Sequence, residues 1–454
     1  MGLSWRWPTG GLGRRRYFPV RVKFAIAIAA ALLWTLLSVW LSTRWMDELG
    51  QVTSPLFALF AITFIAYVPG FMNCFLVATL LLDRRPARRR PPSYPGVSVL
   101  IAAYNEAEAI AETIESAAHE DYPGPLEVIV LNDGSTDGTV KAAEEAMLNL
   151  RAAPNVTVRI CDFPTNRGKA AVLNEGLKLA SHDKIVTIDG DTRLKSDALT
   201  YIVERLLSDP AGTVAVAGAV LVRNSRENLI TGAQDWDYFH GIAAVKRMQS
   251  MYHGTLVAQG AFSIYERAAL REAGGWPECV GEDIVLTWGL LKRGYRIGYA
   301  EDAIVFTNAP TTFRQFALQR KRWSRGLVEA LHHHEDLLFT PRLAAMFIWW
   351  NLLFLPLDLV YTFIFLPGVF AAIFFRIFWI AGPMTLAVIP LAGLWNLVIF
   401  RAQRRTMKQQ NLKLRHHSGG LLFYLVVYTL LMQPVCVWGY WSELLGLTKR
   451  WGTK

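Results

Sequence analysis

Residues 184–194 read KIVTIDGDTRL. From Lys184 to Ile188 the run alternates and is rich in β-branched residues, as a strand entering a core is. It then offers two carboxylates, Asp189 and Asp191, separated only by Gly190. Like charges one residue apart at a strand end repel each other unless a cation lies between them. The stretch therefore predicts a strand whose carboxyl end holds Mg²⁺ or Mn²⁺ through Asp189 and Asp191, the rest of the shell being filled by diphosphate oxygens. A solvated turn is the plain alternative for so short a motif.

The flanking sequence decides the fold around it. Residues 97–104 (VSVLIAAY), 126–133 (LEVIVLND) and 156–163 (VTVRICDF) are further β-branched runs, with helical stretches at 106–118, 136–150 and 169–180. Strand–helix alternation predicts an α/β domain, a parallel sheet wrapped by helices. Such sheets bind ligands beyond the carboxyl ends of their strands. Three of the four strands end there in polar or acidic groups: Asn105 and Glu106, Asn132 and Asp133, Asp189 and Asp191.

Other motifs carry weaker signals. NDGSTDGT (132–139) places oxygens as a calcium loop does, but a calcium hand is entered from a helix and this one follows a strand. The better reading is a strand-to-helix turn in which Asp133 accepts hydrogen bonds from a nucleotide base and Gly134 permits close approach. NRGKAAVLN (166–174) lacks the upstream glycine and the Ser/Thr of a P-loop, yet Lys169 at a helix start can meet a phosphate. VGEDIVLTWGLLKRGYR (280–296) opens a helix with Glu282 and Asp283, and acids are common there. QRKRW (319–323) lies on an amphipathic stretch, and HHH (332–334) reads as an interfacial helix face rather than a metal tract.

The 454 residues are 52% apolar, and the apolar residues are segregated. Residues 24–41 and 56–82 are uncharged runs of 18 and 27 positions, and 343–375, 377–400 and 421–445 are nearly so. Each is long enough to cross a bilayer. Arg14, Arg15 and Arg16, the segment 83–90 (DRRPARRR) and the basic stretch 401–417 place the N-terminus, the middle of the chain and that stretch in the cytoplasm. That parity lets 343–375 cross once. Five spans follow, two before and three after a soluble insert, with the C-terminus outside and the first span an uncleaved anchor. The division is 1–90, 91–341 and 342–454. The net charge of +10 calls for no nucleic acid, since most of the excess flanks spans and faces anionic lipid. The four cysteines show neither a disulfide framework nor zinc spacing.

AAYNE, NDGS, DGD, GED and QRKRW, in this order, resemble the membrane-embedded processive family 2 glycosyltransferases, which include cellulose, hyaluronan, chitin-oligosaccharide and poly-N-acetylglucosamine synthases. The resemblance covers about 95–330 and implies a GT-A, Rossmann-like cytoplasmic domain inserted between transmembrane helices. It also implies roles. Tyr104, Glu106 and Asp133 would meet the uridine end of a UDP-sugar, Lys169 its phosphates, Asp189 the nucleotide and Asp191 the metal. Asp283 would be the general base, aided by Glu282. Gln319 and Arg322 would close the donor side and Trp323 would stack on the acceptor's terminal sugar. QGAFSIYER (259–267) departs from the family's pattern at the place of the acceptor-cradling loop, where Gly260 and Phe262 would contact the acceptor.

The resemblance implies an inverting, processive transfer that builds a β-linked exopolysaccharide and exports it through the adjacent spans of a bacterial inner membrane. The five-span layout is most like the poly-β-1,6-N-acetylglucosamine synthases, so N-acetylglucosamine is the expected sugar. A small membrane or periplasmic accessory subunit would fit such a system. Hyaluronan, chitin or cellulose-type synthesis are alternatives. The chain has no barrel for cyclic-di-GMP of the kind cellulose synthases carry, although Arg401 and Arg405 have an R-x-x-x-R spacing. A non-processive enzyme acting on a lipid acceptor is a further alternative. A transporter with a nucleotide domain is disfavoured, because Asp358 stands nearly alone as an intramembrane charge.

Overall fold

The structure, a computed structural model, describes residues 19–412 and 418–448. Arg14–Arg16, the end of the basic stretch 401–417 and the last six residues lie outside the described residues.

The four strands read from the sequence form as β1 (Val97–Ala103), β2 (Leu126–Asp133), β3 (Val156–Phe163) and β4 (Lys184–Asp189). Two of the helices between them begin later than the composition suggests, at Ile110 and Thr139, and the third begins at Lys169 as expected. The residues before Ile110 and Thr139 form the loops at the strand ends. These four strands pair in parallel, in the order β3-β2-β1-β4. Beyond them lie β5 (Arg193–Leu194), β6 (Thr213–Val222), β7 (Phe262–Glu266) and β8 (Arg296–Thr307), completing the order β3-β2-β1-β4-β7-β6-β8-β5. β7 runs antiparallel to both β4 and β6, so the sheet is mixed rather than parallel throughout. This is the GT-A arrangement. β4 is thus central, and Ile185, Val186, Thr187 and Ile188 are fully buried while Asp189 emerges at its edge.

Four described helices are long and apolar enough to cross a membrane: Val20–Leu41, Pro55–Leu81, Leu343–Phe375 and Ser418–Leu444. Leu343–Phe375 is one helix, not a hairpin. The expected fifth span, 377–400, belongs to a helix Pro383–Gln409 that runs on into the basic stretch and is not among the four. The segment before it and its C-terminal part are tied to different elements. The indole of Trp45, in the short helix Thr43–Val52, donates to the Trp379 carbonyl (2.8 Å), whereas Gln403 Nε2 donates to the Phe239 carbonyl (3.3 Å) in the α/β domain.

Two expectations are corrected here. The final helix does not carry its end away from the domain, because Arg325 donates to Glu443 (2.8 Å) and to the Leu447 and Thr448 carbonyls (2.7 and 3.1 Å). Nor do the arginines after the second helix all face lipid. Arg85 is buried in ion pairs with Asp83 and Glu301, and Arg88 pairs with Asp302 and Glu204. These charges clamp the linker to β8 and to the helix Ala198–Ser208. An aromatic cluster completes the junction. Tyr252 of the domain meets Phe24 and Phe347 at centroid distances of 5.3 and 5.9 Å and bonds Thr79.

Candidate active site

The site lies along the carboxyl ends of β1, β2 and β4. Gly190 lets these edges close up, since a Cβ there would come within 3.1 Å of Glu106 Cγ and 3.2 Å of Ala103 Cβ. Glu106 is thereby brought beside Asp189 and Asp191. Tyr104, at the end of β1, is exposed to the groove. Asn105 adopts a positive φ of 56°, and its side-chain Oδ1 accepts from Thr136 N (2.8 Å), tying the β1 loop to the β2 loop.

Asp133 is spent on the chain itself. Its two carboxylate oxygens accept from the backbone N–H groups of Arg167 (2.7 Å) and Gly168 (2.9 Å). Gly134 is required by that contact, because it has φ +64° and a Cβ on it would come within 2.5 Å of the Asn166 nitrogen. Asp133 therefore fixes the loop that launches Lys169. Lys169, in the first turn of helix Lys169–Leu179, is buried, bonds Asp189 and lies 3.7 Å from Glu282 Oε1. Burial pulls its pKa down, but the neighbouring Asp189 and Glu282 outweigh it and leave the ammonium raised above its ordinary value.

Glu282 and Asp283 occupy the first turn of helix Glu282–Lys292, where the helix dipole favours acids. The turn is held from outside: Glu329 accepts from Val280 N (3.2 Å) and Gly281 N (2.8 Å), and Gly281 touches Gly326. Burial raises the Glu282 carboxyl to about 7. Lys169 opposes this rise but is committed to Asp189, so burial prevails. Asp283 is half-buried and accepts from Ile284 N (2.8 Å). Gly260 adjoins the same pair, a Cβ there reaching to 2.5 Å from Lys169 Nζ.

Helix Phe313–His333 begins with a capping box on Thr312 and places Gln319, Arg322 and Trp323 on one face, at i, i+3 and i+4. Arg322 is within electrostatic reach of Glu282, and Trp323 is 39% exposed. Asp189, Asp191, Lys169, Glu282, Asp283 and Arg322 thus form one constellation.

Phe262 does not join them. It is fully buried in the sheet, packed against Gly218, and supports the wall behind Gly260. A pattern of hydrophobic residues after a glycine gave no way to separate wall from surface. Sequence reasoning also missed Thr307, whose hydroxyl donates to Asp191 (3.2 Å), and Lys246, buried beside Gln259 and within electrostatic reach of Asp283. Thr307 ends β8 with no motif around it, and only the quoted QGAFSIYER stretch pointed near Gln259.

The donor set suits a small hard cation: two carboxylates, Asp189 partly exposed and Asp191 oriented by Thr307. No cluster of three or more metal-ligating side chains occurs among the described residues, so water and diphosphate oxygens would have to complete the shell.

A sequence profile described as "Glycosyltransferase like family 2" matches residues 95–326. A poly-beta-1,6-N-acetyl-D-glucosamine synthase of Staphylococcus epidermidis is 30% identical over 279 residues, covering 59% of this chain and 66% of that one. The protein of the same name from Staphylococcus aureus (strain COL) is 34% identical over 237 residues, covering 52% and 55%. The chain therefore matches less than two thirds of the length of these relatives. Among solved structures, a mannosyltransferase from Pyrobaculum calidifontis in complex with GDP-Man and Mn²⁺ superposes with a TM-score of 0.59 at 21% identity, covering 85% of this chain and 98% of that one.

Proposed function

The chain belongs to glycosyltransferase family 2 and is a hexosyltransferase, and from that premise we propose that it transfers N-acetylglucosamine from its UDP donor to a growing β-linked polysaccharide. The single observation that carries the reading is the Lys169 bridge, which joins the Asp189-Gly190-Asp191 turn to the Glu282–Asp283 turn across one groove. The names of the staphylococcal relatives support the choice of sugar and of polymer.

In the proposed reaction the acceptor hydroxyl gives its proton to Asp283 and attacks the anomeric carbon from the face opposite UDP. The bond from that carbon to the diphosphate oxygen breaks, and an α-linked donor yields a β-linkage. Mg²⁺ or Mn²⁺ held by Asp189 and Asp191 would supply neutralisation of charge on the leaving diphosphate. Lys169 and Arg322 provide fixed positive charge toward the same group. Tyr104 and Glu106 frame the nucleoside end, and Asp133 holds the loop that positions Lys169. Trp323 offers its exposed ring to the acceptor's terminal sugar, and Gly260 lies beside Lys169 and Glu282.

The helices Val20–Leu41, Pro55–Leu81, Leu343–Phe375 and Pro383–Gln409 hold the domain at the cytoplasmic face of a bacterial inner membrane, with the short helix Thr43–Val52 and the turn at 376–382 outside. Their proximity to the site gives the product its route of export, and an accessory membrane subunit would dock on this bundle.

The test supplies washed membranes containing the chain with each labelled UDP-sugar in turn, with Mg²⁺ or Mn²⁺. Long polymer from UDP-N-acetylglucosamine is expected. Polymer from another UDP-sugar would reassign the substrate, single additions to lipid would favour the non-processive alternative, and no turnover would contradict the reading.

A further inference from the structure

One cation of the helix Phe313–His333 has no part in the reaction just described. Arg320 is three residues before Trp323, so the two side chains meet on the helix surface. Its guanidinium carbon lies 4.0 Å from the Trp323 ring centroid. The arginine is 2% exposed, yet Trp323 keeps 39% of its surface open. One face of the ring is therefore covered by a buried cation while the side chain still reaches solvent.

Arg320 is itself fixed from two other elements. Its Nη2 donates to Asp237 Oδ2 (3.0 Å) and to the Tyr428 hydroxyl (2.7 Å), and that hydroxyl donates to the same Asp237 oxygen (2.9 Å). Asp237 opens a π-helical turn, Asp237–Ile242, whose next residue, Tyr238, stands 6.3 Å from the Trp323 ring. Tyr428 belongs to a second π-helical turn within the helix Ser418–Leu444. A π turn inserts a residue and re-aims the side chains around it. Here two such turns converge on one guanidinium.

We propose that Arg320 is a positioning residue that, clamped by Asp237 and Tyr428, holds one face of Trp323 and so presents the other to the terminal sugar of the acceptor. This rests on the sugar-transfer reading above. The device needs a fork of donors, because one side chain must satisfy a carboxylate and a hydroxyl while lying flat over an indole. Lysine offers the charge without that geometry. Arg320 is thus expected to govern acceptor affinity and leave donor handling untouched. It also couples the acceptor platform to the helix Ser418–Leu444, so that displacement of that helix would release the ring.

The experiment compares the full-length chain in nanodiscs with Arg320→Lys, Arg320→Gln and Tyr428→Phe. UDP-N-acetylglucosamine and Mn²⁺ are held saturating while a β-linked N-acetylglucosamine oligosaccharide is titrated, and acceptor-free hydrolysis of the donor is followed in parallel. Arg320→Gln is expected to raise the acceptor KM at least tenfold, with donor KM and donor hydrolysis within twofold of the parent. Arg320→Lys should recover part of the loss, and Tyr428→Phe should raise the acceptor KM about threefold. If Arg320→Gln does not accumulate, the other two variants decide. An acceptor KM unchanged in both, or donor and acceptor constants that move together, overturns the assignment. A parent chain that turns over no UDP-sugar instead contradicts the sugar-transfer reading, which keeps the two failures apart.

Discussion

Lys169 lies between two acids from opposite walls of the groove, bonded to Asp189 and 3.7 Å from Glu282 Oε1, while being itself almost fully buried. A buried cation shared by two carboxylates neutralises a site that would otherwise carry uncompensated charge. It also aligns the turn proposed to hold metal with the turn proposed to hold the base.

Lys169→Met should therefore damage both stability and turnover. Breaking a buried pair typically costs about 3–5 kcal/mol, and loss of a preorganised positive charge costs on the order of 10²-fold in rate. Thermal unfolding and UDP-sugar turnover of the purified variant check both. Turnover within threefold of the parent would show that the bridge has no part in the chemistry.

The raised carboxyl of Glu282 gives a stability prediction with a defined sign. In the unfolded chain it loses its proton near 4.5, and in the folded chain at about 7. Between those values the folded state binds more protons, so stability falls as pH rises through the window. Glu282→Gln cannot ionise and should escape this fall, gaining up to about 3 kcal/mol on the parent by pH 8 and little at pH 4.5. Melting temperatures measured from pH 4.5 to 8 test this. Parallel curves for the two proteins would contradict it.

The Thr307 hydroxyl donates to Asp191, so Thr307→Val should free that carboxylate without removing it. Activation by Mn²⁺ should then need several-fold more ion, with a smaller change at saturating Mn²⁺. Chelation should abolish turnover in both proteins and restored Mn²⁺ should recover it. A metal-activation curve identical to the parent's would remove Thr307 from the site.

The ends of the helices give a topological prediction. Thr53→Cys, in the turn between the short helix Thr43–Val52 and the helix Pro55–Leu81, should react with a membrane-impermeant maleimide added from outside intact cells. Leu447→Cys, whose carbonyl is bonded by Arg325, should react only in inverted vesicles. Labelling of Leu447→Cys from outside would show that the final helix leaves the domain after all.

The sequence made half of the sheet legible and part of the site. β1 to β4 declared themselves because each is a β-branched run closed by a turn, and Asp189 and Asp191 stood out because two acids end a strand that is otherwise apolar. The antiparallel β7 was hidden: FSIYE carries no direction, and its pairing partners, β4 and β6, lie far from it in the chain. Arg85 and Arg88 looked like lipid-facing charges, because their acidic partners Glu204, Glu301 and Asp302 come from over a hundred residues away. Asp133 showed its acid but not its use, since hydrogen bonds to backbone N–H groups leave no signature in side-chain identity. Arg320 was visible only as one letter of QRKRW. Its partners come from two π-helical turns that no periodicity announces.

In the proposed reaction Asp283 is the proton acceptor while other groups bind the donor. Turnover of the UDP-sugar and binding of UDP with Mn²⁺ should be measured side by side for Asp283→Asn. Transfer reduced at least 10³-fold, with UDP affinity within threefold of the parent, is the predicted result. Retained transfer, or UDP affinity lost together with transfer, would contradict it.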